Sequence, residues 1–174
     1  MNVKRRCVIF LLGMVSYATA ATHDGMVNIT GTIQDMTCEV SPDSQNKTVD
    51  MGTMVQKQFR QAGDSSLPKV FTINLENCGP AASEAVVTFT GTIDETSHDY
   101  YAIESGQDSA TGLALGIYDS EGTVLPSGTK SSGFALTPGQ ESVRLTFMAK
   151  YIAVSGNITA GSADSLVTFQ ISYN

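Results

Sequence analysis

Residues 166–174 read LVTFQISYN. Val167, Phe169, Ile171 and Tyr173 fall at every second position, and the intervening Thr168, Gln170 and Ser172 are polar and uncharged. Successive side chains of a strand point to opposite faces, so this period predicts a strand with one apolar face toward a core. No charge occurs from Ser165 onward. Sheet edges are ordinarily guarded by charge, proline or bulges, and a strand with none of these reads as an open edge that invites a partner strand. A stretch of the same character lies near the other end. Residues 27–33, VNITGTI, set Val27, Ile29, Gly31 and Ile33 against Asn28, Thr30 and Thr32. Pairing of the two within one molecule would finish an ordinary sandwich. Pairing between molecules would make a heterologous contact that does not close, and therefore a filament.

Between these ends the sequence is rich in Thr, Ser, Val and Gly and has no Trp. Strands are predicted at CEV (38–40), KTVDMG (47–52), KVFTINL (69–75), AVVTFTG (85–91) and SVRLTFMAKYIAV (142–154). In the last of these, Val143, Leu145, Phe147, Ala149 and Tyr151 alternate with Arg144, Thr146, Met148 and Lys150. GLALGIYD (112–119), followed by SEG and TVL, predicts a hairpin with Gly122 in the turn. Only MVQKQFRQAG (54–63) suggests a turn of helix. Many short strands separated by turn signals indicate an all-β sandwich.

The first twenty residues have a different character. Lys4, Arg5 and Arg6 precede the apolar run CVIFLLGMV, and Ala18 and Ala20 supply small residues at the −3 and −1 positions of a cleavage site. This is the pattern of a secretory signal, 1–20, with cleavage after Ala20 or, alternatively, Ala21. The run is too short for a bilayer anchor. The exported product would keep 154 of the 174 residues, enough for one domain with a respectable core. The leader takes three of the ten basic residues and none of the seventeen acids, which leaves a net charge of −10. That balance argues against nucleic acid or an anionic membrane as partner. Cys7 leaves with the leader, and Cys38 and Cys78 remain. An even pair in an oxidising compartment implies one disulfide.

Catalytic signatures are lacking. The sequence has no nucleophile elbow, phosphate loop or HExxH-type metal motif. His23 and His98 lie far apart, and Asp94, Glu95 and Asp99 read as a solvated loop. The three N-x-T matches, beginning at Asn28, Asn46 and Asn157, are short enough to arise by chance in a Thr-rich chain. The reading is of a protein that is not an enzyme and that needs no cofactor or metal.

Three elements together resemble the pilin subunits of the chaperone–usher pathway, in particular the type 1 fimbrial family. They are the alternating segment DGMVNITGTIQDMTCEV with Gly31, the spacing of Cys38 and Cys78, and the C-terminal pattern with Tyr173 penultimate and Gly161 fourteenth from the end. The end segments and the LTPGQ stretch at 136–140 look most like a minor or adaptor subunit. The resemblance implies an immunoglobulin-like sandwich lacking its last strand. An N-terminal donor-strand extension (21–35) would precede the pilin domain (36–174). It implies that Gly25, Val27, Ile29, Gly31 and Ile33 are the donor face. Val167, Phe169, Ile171 and Tyr173 would be the acceptor strand, with the carboxylate of Asn174 anchored by basic residues of a periplasmic chaperone. Assembly at an outer-membrane usher into a head-to-tail fimbria that supports adhesion at the cell surface follows from the same likeness. The alternative is a secreted glycan-binding module. Only 17 residues separate Ala20 from Cys38, however, which leaves no room for a separate N-terminal lectin domain.

Overall fold

Among the described residues eight strands, from two to twelve residues long, run antiparallel to their neighbours and together enclose one main apolar cluster. The computed structural model describes residues 30–33, 35 and 37–174. Of these, Ile33–Asn174 fold as one compact unit. The strands are β1 (Glu39–Val40), β2 (Lys69–Glu76), β3 (Glu84–Gly91), β4 (Tyr101–Ala102), β5 (Leu113–Asp119), β6 (Phe134–Ala135), β7 (Ser142–Ala153) and β8 (Val167–Tyr173). One sheet has the order β1-β2-β7-β5-β4 and the other β6-β3-β8. A single turn of helix, α1 (Pro42–Gln45), and a 3-10 turn at Gln56–Gln58 complete the elements.

Alternation drives the layering. Phe71, Ile73 and Leu75 of β2 face the core beside Leu145 and Phe147 of β7, and Ala85, Val87 and Phe89 of β3 meet them from the other sheet. The Phe147 ring packs against Phe71, Phe89 and Phe134 at centroid distances of 5.8, 5.0 and 5.5 Å. The contacts with Phe89 and Phe134 are edge-to-face, a geometry that adds to the stabilisation from area burial. The Cys38–Cys78 disulfide is present at the edge of this cluster. The predicted hairpin is also present. Gly122 adopts φ +88°, and the Asp119 carboxylate caps the turn by accepting from the Glu121 and Thr123 amides at 3.0 and 2.8 Å. The positive φ is the reason the turn calls for glycine.

The structure differs from the sequence reading in a few elements. Residues 47–52 form no strand; they run beside the sandwich without a ladder partner among the described residues. Their alternation is that of a strand, but a strand needs hydrogen-bonded company as well as a pattern. The helical turn expected within 54–63 is a three-residue 3-10 turn, and α1 was not foreseen although Pro42 and Asp43 are suited to a helix start.

Cys38 and Cys78 lie 40 residues apart, and closing a loop of that size is worth roughly 4 kcal/mol in the chain-entropy model. The Cys38→Ser/Cys78→Ser double variant should lose about that much unfolding free energy in chemical denaturation; a loss below about 1 kcal/mol would show that the cross-link carries little of the fold's stability. Tyr101 is fully buried, and its hydroxyl donates to the Leu125 carbonyl oxygen at 2.9 Å. Burial pushes its hydroxyl up from 10.0 to about 12. The neutral phenol is the folded form, so this contribution is complete below pH 10 and is lost as pH rises through about 12. Alkaline titration of unfolding free energy should therefore fall less steeply for Tyr101→Phe than for the parent, and equal slopes would contradict the assignment.

Candidate functional site: an apolar groove beside the last strand

Strand β8 ends its sheet, and among the described residues it pairs only with β3. The direction of its backbone groups follows from its neighbours. On β3, Val87 exchanges hydrogen bonds with Ser131, and the Phe89 carbonyl accepts from Gly128, so the odd-numbered residues of β3 turn their amides and carbonyls away from β8. Val86, Thr88 and Thr90 therefore serve β8 through Ser172, Gln170 and Thr168. Asn174 continues the same phase, its amide donating to the Glu84 carbonyl at 3.1 Å. Val167, Phe169, Ile171 and Tyr173 thus send their side chains inward and their N–H and C=O groups outward along the open edge.

The four side chains are only half-buried, although they pack against the main core. Beside them lies a groove of about 1250 Å³. Its floor includes Phe71, Ile73, Phe89, Ile117 and Tyr151, drawn from both sheets. One lip is Val167–Phe169 with the run-in from Ile158. The other is the chain from Gln45 to Met54. No backbone–backbone hydrogen bond ties residues 46–54 to a strand among the described residues. Side chains hold this lip instead: Met51 and Met54 pack against a second apolar cluster of Phe59, Tyr151, Ala153 and Ile158. Sequence reasoning missed the second lip as part of a site. Its one signal in the sequence is the KTVDMG stretch at 47–52, which predicts a strand.

The sequence-predicted residues distribute as follows. Val167 and Phe169 line the groove, whereas Ile171 and Tyr173 continue the edge beyond it toward the disulfide. The Tyr173 hydroxyl donates to the Cys38 carbonyl oxygen at 2.9 Å, and burial raises its pKa. Asn174 is held by Ser83, whose amide and hydroxyl donate to its carbonyl oxygen at 3.2 and 2.6 Å, and its side-chain amide donates to Glu84 at 2.7 Å. Gly161 sits against the backbone of Asp108–Ala110, where a Cβ would collide with the Asp108 carbonyl oxygen at 2.5 Å. The adjacent Ser162 exchanges hydrogen bonds with Asp108 and Ala110 at 2.8 and 2.7 Å, so this close approach is fixed by the ladder. Of the N-terminal set, Gly31 is exposed and Ile33 is fully exposed, while Gly25, Val27 and Ile29 lie outside the described residues. The acidic stretch near His98 is a surface loop in which Asp94 accepts from the Thr96 and Ser97 amides, both at 2.9 Å. Among the described residues no group of three or more His, Cys, Asp or Glu side chains is placed to hold a metal ion.

Chemically, an apolar trough with a hydrogen-bonding rail along one side suits an extended peptide. A strand laid there would find backbone partners on β8 and burial for alternate side chains. The chain is similar to known proteins along nearly all of its length. The fimbrial-like protein YcbV of Escherichia coli K12 is 35% identical over 167 residues, 96% of each chain. Long polar fimbria protein A of Salmonella typhimurium is 33% identical over 172 residues, covering 95% of this chain and 96% of that one. A subunit in a structure of a chaperone–usher pilus shares the fold with a TM-score of 0.66 over 91% of this chain and all of its own, at 23% identity. The profile of the family described as Fimbrial protein matches residues 27–174. The chain therefore belongs to the fimbrial protein family and is a structural pilus subunit.

Proposed function

We propose that the chain is built into an adhesive fimbria by strand exchange. The groove beside β8 takes the N-terminal segment of a neighbouring subunit, and residues 21–35 of this chain fill the groove of the next. The observation that carries this reading is the open edge of β8, where half-buried apolar side chains and outward backbone groups belong to the same four residues. Full exposure of Ile33 on the domain side of the donor segment is in keeping with it, since an isoleucine gains nothing from water. In this reading Gly25, Val27, Ile29, Gly31 and Ile33 face the neighbour's core. Before assembly, a periplasmic chaperone covers Val167, Phe169, Ile171 and Tyr173 with a strand of its own and grips the carboxylate of Asn174. An outer-membrane usher is where the exchange takes place. A minor or adaptor position in the fibre, suggested by the end segments, is part of the same proposal.

Magnitudes make the exchange a durable joint. Burying Val27, Ile29 and Ile33 supplies roughly 1.5–3 kcal/mol each, and each strand hydrogen bond adds about 0.5–1.5 kcal/mol net. Association entropy opposes these gains. Withdrawal of the strand re-exposes a groove floored by the core itself, so dissociation resembles partial unfolding and is slow.

The test is to add a synthetic peptide of residues 23–35 to purified subunit held by its chaperone, and to follow thermal unfolding. The expected result is release of the chaperone with a large rise in the midpoint. A subunit that is stable and monomeric without a chaperone, and indifferent to the peptide, would refute strand exchange.

A further inference from the structure

We infer that Met51 and Met54 are an oxidation site that governs whether the groove can be filled. This rests on the proposal that the groove receives a strand. The two methionines lie on the lip that no ladder secures, both half-buried, both lining the groove, and both packed on the cluster of Phe59, Tyr151, Ala153 and Ile158. They are thus among the few side chains that fasten residues 46–54 to the sandwich. A thioether suits that task because it is flexible and polarizable and fits an irregular gap. It is also the side chain that a peroxide attacks. The sulfur lone pair displaces on the peroxide oxygen, the O–O bond breaks, and one oxygen joins the sulfur as a sulfoxide while the other leaves as water. Sulfur is oxidised by two electrons and hydrogen peroxide is reduced by two.

The product does not fit where the thioether did. A sulfoxide brings a strong acceptor into an apolar cluster whose hydroxyl, that of Tyr151, already donates to the Ala163 carbonyl oxygen at 2.5 Å. A polar group buried without a partner is costly. The lip has no backbone ladder to hold it in place, so it would swing out and take the groove wall with it. Once a strand lies in the groove, the same sulfurs are covered. Oxidant then disables empty subunits and spares filled ones.

Trypsin separates the relevant sulfurs cleanly. Residues 48–57 form one fragment that holds Met51 and Met54, and residues 145–150 form another that holds Met148. Met148 belongs to the alternate, outward-facing set of β7 and serves as the internal control. The full chain, refolded free of chaperone, is exposed to hydrogen peroxide with and without the 23–35 peptide carrying norleucine in place of Met26, and sulfoxide in each fragment is read by mass spectrometry. The peptide should slow oxidation of the 48–57 fragment about tenfold and leave the 145–150 fragment unaffected. Pre-oxidised chain should bind the peptide about tenfold more weakly, and Met51→Leu/Met54→Leu should abolish that effect. A peptide that binds without protecting the 48–57 fragment, or binds oxidised chain equally well, overturns the inference but not strand exchange. Absence of peptide binding overturns strand exchange. In that case peptide-free thermal unfolding still decides the oxidation site. Peroxide should lower the midpoint of the parent and not that of the double leucine variant, and equal midpoints would sink it.

Discussion

In an antiparallel ladder the residues that bond one neighbour and those that bond the other alternate, and so do the two side-chain faces. On β8 the two alternations coincide. Val167, Phe169, Ile171 and Tyr173 present both the inward apolar side chains and the outward N–H and C=O groups. The sandwich therefore leaves two unsatisfied demands at one place, burial and backbone pairing, and a single extended segment answers both. Neither demand alone would specify a strand: an apolar trough accepts many shapes, and a bare edge accepts any backbone. The rest of the fold serves to hold this edge in register. Asn174 is pinned by Ser83 and Glu84, and Tyr173 reaches across to the Cys38 carbonyl. An edge fixed in advance loses little entropy on pairing, which is where preorganisation helps affinity.

The groove is not symmetric. β8 is a full ladder partner of β3 across seven residue pairs, whereas the opposite lip, residues 46–54, is fastened by side chains alone among the described residues. The rigid lip sets the register of an incoming backbone. The softer one adjusts to side chains of different size, and two methionines are apt for that purpose.

Much of this was legible in the sequence because period-2 alternation is a local signal. β2, β3, β5, β7 and β8 lie where the apolar residues alternate, and the hairpin turn falls at Gly122 as its sequence predicts. The two-residue strands β4 and β6 were not legible. Tyr101–Ala102 and Phe134–Ala135 are strands because Leu115 and Ala85, respectively, stand opposite them, not because of any pattern of their own. Residues 47–52 fail in the converse way, having the pattern without the partner. Gly161 could be singled out by its distance from the end of the chain, but the reason for a glycine there lies in the backbone of Asp108–Ala110, some fifty residues away, and no spacing reports that. The second lip escaped for a related reason. Met51 and Met54 become significant only when Phe59 and Ile158 are brought alongside them.

These contacts divide the β8 edge into a stiff end, beyond the groove, and a soft end along it. At the stiff end the disulfide joins Cys38 to Cys78, the Gly79 amide donates to the Thr37 carbonyl at 2.8 Å, the Ala81 amide donates to the Asp35 carbonyl at 3.1 Å, and Tyr173 adds its bond to Cys38. Covalent and backbone links there tie the start of the domain, the turn after β2 and the end of β8 to one another. At the soft end Met51 and Met54 meet Ile158 through side chains, the Gln56 side-chain amide donates to the Ile158 carbonyl oxygen, and the Thr159 amide donates to the Thr111 carbonyl oxygen at 3.2 Å. Local opening takes the least free energy where buried apolar contacts are few and backbone bonds face solvent. The domain is therefore able to loosen at the methionine end while the disulfide end stays closed. A groove that opens from one end keeps the register of β8 intact throughout, because the residues that set it, Ser83, Glu84 and Cys38, lie at the end that does not move.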